Sequence, residues 1–182
     1  MPDIANPDYF LQLARTLDRM TADVPTAEQL QRGDDISPAI RTMVSDAGCV
    51  LIEISEELAT SYRHEILHRL THGPAERFGT AALAQCAVPL GTALSHLGHV
   101  VERLGFIHGH VLQPGTGARI PVPLDFRQPL QEDLDRIASL LRTAAQQLRT
   151  NAVELSRIRA ARSKTSAAPL TPIGARQGRV VR

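Results

Sequence analysis

The string His64-Glu65-Ile66-Leu67-His68 is the sharpest chemical pattern in the chain. On a helix, residues four apart share a face, so the imidazoles of His64 and His68 can reach one ion. Glu65 between them can act as a base on a metal-bound water. His72 continues the stripe. It lies about 12 Å from His64 along a helix axis, too far for one tetrahedral ion to take both. A further ligand would have to come from another helix. Zinc or iron would suit such a set, and beyond it no cofactor is expected.

These five residues resemble the HExxH signature of zinc metallopeptidases, which implies a zinc-dependent hydrolase with Glu65 as base. Arg69 stands where that family prefers an uncharged residue. The heptad-patterned segment before it departs from the strand-rich half those enzymes use to hold substrate. Glu65 and His68 also resemble half of a ferritin-like di-iron site, whose second Glu-x-x-His is missing. His64-Glu65 with Leu70-Thr71 is similar to the phosphoacceptor box of histidine kinase dimerisation domains, with Arg69 in place of the usual Pro. An antiparallel bundle would gather Glu65, His68, His72, Glu76, Asn151 and Glu154 at one end. The plain expectation there is a solvated polar end, and the chain is more readily read as a binding protein than as an enzyme.

Leu90-Gly91, Leu97-Gly98 and Leu104-Gly105 recur every seven residues. A helical Gly costs about 1 kcal/mol relative to Ala, so three in one register need compensation. Close approach of another helix of the same bundle is the first expectation, and a groove reserved for a partner is the second. Asn151 falls on an otherwise apolar heptad seam, where a polar residue can set register or oligomeric state. His96 and His110 share one heptad position beside the glycine row, with Arg103 between them, and single histidines there are expected to be solvated. Arg157, Arg159, Arg162, Lys164, Arg176, Arg179 and Arg182 follow Glu154 with no further acid. Such an arm can bind phosphates of nucleic acid, or an acidic protein surface. Gln29 to Val44 faintly resembles a helix-turn-helix, but Asp34-Asp35 at the turn would repel phosphate.

The elements that must hold these residues are helical. Leu and Ala make up about a quarter of the chain, while aromatic residues are 3% and Trp is absent. That composition speaks against a sandwich, a barrel or a base-stacking platform. Two Cys exclude a disulfide scaffold, and Cys49 and Cys86 are expected as buried thiols. No run of some 18 consecutive apolar residues suggests a membrane span, and the acidic start does not read as a signal peptide, so a cytoplasmic location is expected. The net charge of +1 conceals −7 over residues 1–60 and +7 over residues 126–182.

Asn6-Pro7 and Ser37-Pro38 are helix starts, and Thr26 to Gln29 is a capping box. Three heptad seams follow. The first runs Ile40, Val44, Ala47, Leu51, Ile54, Leu58. The second runs Leu83, Ala87, Leu90, Leu94, Leu97, Val101, Leu104, His108. The third runs from Leu130 through Leu134, Ile137, Leu141, Ala144 and Leu148 to Leu155 and Ile158, starting near Pro129 after a loop over 113–128. The pattern predicts an all-α antiparallel bundle of three long helices with coiled-coil-like seams plus a short N-terminal helix. Residues 1–36 would form the short helix and linker, 37–162 the bundle, and 163–182 a disordered basic tail. The function expected is protein–protein assembly, with the chain itself as a possible partner.

Overall fold

The computed structural model describes residues 4–68, 73–110 and 123–166, without the side chains of 65, 67, 68, 110 and 163–166. The chain is an all-α bundle, and among the described residues there is no strand. The described residues form five helices in order: α1 (Pro7–Ala22), α2 (Ala27–Arg32), α3 (Ser37–His68), α4 (Pro74–His110) and α5 (Leu124–Ser166).

The starts obey local chemistry. Asn6 Oδ1 accepts the Asp8 N–H at 3.1 Å, and Pro7 fills the first helical position, where no amide partner is needed. Thr26 and Gln29 form the expected capping box, and α2 ends on Gly33 in the left-handed region at φ 71°. At α3 the cap is one step away from expectation. Ser37 is already helical, and Asp35 Oδ1 takes its N–H at 2.9 Å. Ser37, through its side chain first and its backbone N–H second, holds the Asp35 carboxyl below its usual range. The fifth helix begins at Leu124 rather than near Pro129, and it continues through Ser166. Residues 113–122 of the expected loop and the tail from 167 onward lie outside the described residues.

The long helices alternate in direction. Ser61 of α3 meets Thr80 of α4, and Gln85 of α4 meets Gln147 of α5. Asp18 of α1 pairs with Arg149 of α5, so α1 also runs against α5. Helix α4 lies between α3 and α5, and α1 packs chiefly on α5. At 16 residues, about 24 Å, α1 covers only part of the 43-residue α5. Its Phe10, Leu13, Leu17 and Met20 enter the same core as the three long helices.

The third seam is inside along most of its length, from Leu130 to Leu155, with Asn151 and Ile158 half-buried. The other two are rotated at alternate positions. On α3 the buried row is Ile40, Met43, Ala47, Val50 and Ile54, while Val44 is exposed and Leu51 and Leu58 are only half-buried. On α4, Leu83, Leu90 and Leu97 are buried as expected, but Cys86, Ala93 and Val100 fill the places given to Ala87, Leu94 and Val101. Each of these helices carries two adjacent apolar rows, and periodicity alone does not say which faces the neighbours.

Candidate functional site

The end of α3 carries His64, exposed, and brings the backbone of Glu65 and His68 into the same helix. The side chains of Glu65 and His68, and all of His72, lie outside the described residues. Across the bundle, Arg162 approaches Gly73 and Glu76, so the ends of α3 and α5 and the start of α4 do share one end of the molecule. The basic residues of α5 are in part structural. Arg157 pairs with Glu154 at 3.1 Å. Arg159 donates to the Ala5 carbonyl at 3.1 Å and ties the N-terminal segment down. Lys164 lies in α5, and Arg176, Arg179 and Arg182 lie outside the described residues. Asn151 is half-buried beside the core row rather than within it, with its Nδ2 unpartnered, and lines a shallow groove with Arg142 and Gln146.

The most concentrated chemistry is elsewhere. His96 and His99 project from one side of α4 towards Asp133 of α5. Asp133 is 7% exposed, and a buried carboxylate without partners would be costly. His96 Nδ1 lies 2.9 Å from Asp133 Oδ1, within hydrogen-bond distance. His99 Nδ1 lies 4.0 Å from the same oxygen. Arg103 Nε stands 3.1 Å from Oδ2, a close charge contact without hydrogen-bond alignment. One donor atom from each of His96, His99 and Asp133 falls within 4.8 Å of the other two. His96 is therefore not the solvated surface histidine expected of it.

Helix spacing explains the convergence. Positions 96, 99 and 103 step by three and four, so one side of α4 offers two imidazoles and a guanidinium in a column. Asp133 immediately precedes the core Leu134 on α5, which holds it at the edge of the helix contact. An open groove of about 610 Å³ adjoins this cluster. It is lined by His99, Glu102, Arg103, Phe106, Asp125 and Phe126, and the two Phe rings stack at 5.4 Å between centroids. A second groove of about 560 Å³ runs between the start of α3 and α4, past Val44, Val101 and Gly105.

The glycine row turns away from the bundle. A Cβ on Gly91, Gly98 or Gly105 would meet nothing within 4 Å, so among the described residues no other helix approaches them closely. This overturns the expectation of internal close packing. By contrast, a Cβ on Gly79 would fall on the Ile4 carbonyl. Around the row, the outer face of α4 repeats with heptad spacing as Arg77, Ala81, Ala84, Val88, Gly91, Ser95, Gly98 and Glu102. All are exposed except Gly91, which is half-buried, and Val88 is 70% exposed. No Asp, Glu, Lys or Arg occurs from Phe78 to Val101. By length and composition, Pro74–Gly109 could cross a membrane. Its inner face carries Leu83, Cys86, Leu90, Ala93 and Leu97, all buried against the bundle.

Sequence reasoning missed His99 and Asp133. The His-x-x-His spacing at 96 and 99 was a visible signal, but Asp133 lies 34 positions beyond His99, and only the packing of α5 on α4 brings it there. No protein-family model, curated protein or solved structure matches this chain.

Proposed function

We propose that this chain is a helical-bundle assembly module that self-associates through the outer face of α4. The observation that carries the reading is the pair Gly91 and Gly98, which no other helix among the described residues approaches. These two helix-weakening residues find their compensation when a second helix packs closely there.

The sequence of that face favours a second copy of the same chain. A two-fold axis crossing α4 between Pro89 and Leu90 pairs Val88 of each copy with Gly91 of the other. It pairs Ala84 with Ser95 and Ala81 with Gly98. At both ends it sets Arg77 of one copy against Glu102 of the other. A bulky residue thus meets the residue with no side chain, small residues meet small ones, and opposite charges close the two ends. A parallel arrangement would oppose Arg77 to Arg77 and Glu102 to Glu102, which is repulsive. Isologous two-fold pairing is also the commonest way for a soluble chain to assemble.

Sedimentation velocity over a wide concentration range tests the reading. A dimer is expected, with Val88→Arg converting it to a folded monomer. Arg77→Glu and Glu102→Arg should each weaken association, and the double reversal should restore it. A wild-type chain that stays monomeric throughout, or a dimer indifferent to Val88→Arg, would sink the proposal.

A further inference from the structure

We infer that His96, His99 and Asp133 form a binding site for a divalent transition-metal ion of the zinc class. This rests on a different side of α4 from the assembly face and does not depend on it. The donor set is two imidazoles and one carboxylate, the borderline nitrogen–oxygen mixture that suits Zn²⁺, Co²⁺ or Ni²⁺ and not Ca²⁺ or Mg²⁺. An ion about 2.0–2.2 Å from each donor needs those donors roughly 3–3.5 Å apart. The present spacings, 2.9 and 4.0 Å from Asp133 Oδ1 and at most 4.8 Å overall, bracket that requirement. Side-chain rotation alone closes the set.

The burial of Asp133 supplies the driving force. A carboxylate 7% exposed requires positive charge beside it, and here Arg103 provides it. An incoming dication takes over that role. It takes the place of the hydrogen between His96 Nδ1 and Asp133 Oδ1, a neutral imidazole then carrying its proton on Nε2, and it displaces the guanidinium. Arg103 is 41% exposed and can turn out into the adjoining groove. Three protein ligands leave a coordination position open, as in catalytic zinc sites, and His99 places that position on the side of the groove. The ion would thereby be reachable by water or a small anionic ligand.

The test is calorimetric titration of the full-length chain with Zn²⁺, repeated with Co²⁺ to read the visible absorption of the bound ion. One ion per chain is expected. His99→Gln changes a residue whose side chain is 54% exposed, so folding should survive, and affinity should fall by at least about tenfold. Asp133→Asn should abolish binding, and Arg103→Gln should tighten it by removing the competing cation. His68→Gln should leave it unchanged. Absence of stoichiometric binding, full affinity in folded His99→Gln, or loss of binding in His68→Gln would each overturn the inference.

Discussion

Replacing Gly91 and Gly98 together by Ala should make the folded chain more stable and its dimer weaker. In the single chain, a Cβ at either position meets nothing within 4 Å, so no clash opposes the gain in helix propensity. That gain is about 1 kcal/mol per Gly-to-Ala exchange, or about 2 kcal/mol for the pair. For a chain of this size it corresponds to a rise in melting temperature of roughly 4–8 °C. In the dimer the same methyl groups enter the contact, each twice because of the two-fold axis. Overpacking costs about 1–3 kcal/mol, so the dissociation constant should rise by at least about fivefold. The two effects are separated by urea unfolding in a Val88→Arg background, which removes association, and by sedimentation of the double Ala variant without that change. A loss of stability in the monomeric background would mean that another segment does approach the row. An unchanged dissociation constant would mean that the row is not the contact.

Gly79 should behave in the opposite way to the outer glycines. Gly79→Ala drives a Cβ into the Ile4 carbonyl and should cost about 1–3 kcal/mol in urea unfolding. The two thiols should differ sharply towards a disulfide reagent. Cys49 is exposed and should react in the native state, while Cys86, fully buried and pushed up to about 11 by that burial, should react only on unfolding. Burial raises the Glu57 pKa, with Glu53 and Glu56 adding to it. A raised carboxyl binds its proton more tightly in the folded chain, so its contribution favours folding at low pH and is lost as pH rises through the folded value. Glu57→Gln should therefore gain stability relative to wild type between about pH 4 and pH 7 in parallel urea titrations. An unchanged difference across that range would contradict the burial argument.

The legibility of the fold varied with how many apolar rows a helix carries. On α5 the row from Leu130 to Leu155 was readable because large apolar residues keep to it, while charged residues such as Glu132, Asp135, Arg136 and Arg142 lie off it. On α3, Met43 and Val44, and Val50 and Leu51, are adjacent apolar pairs, and which member is buried depends on where α4 packs. On α4, Leu83, Leu90 and Leu97 lie on the shared edge of both candidate rows and were read correctly. Their neighbours Cys86, Ala93 and Val100 were not.

The chain's own chemistry determined what is local: helix starts at Asn6-Pro7 and Thr26, the turn at Gly33, and an all-α bundle with a Leu row on α5. Capping bonds and helical periodicity act over three or four residues, and residue types report them directly. Tertiary structure alone decided what is distant. It turned the glycine row outward, and it carried Asp133 across from α5 to meet His96, His99 and Arg103. Both outcomes depend on how one helix is rotated against its neighbours. That rotation is set by the sum of many packing contacts rather than by the spacing of any one motif, which is why His64-Glu65-His68 drew attention and His96-His99-Asp133 did not.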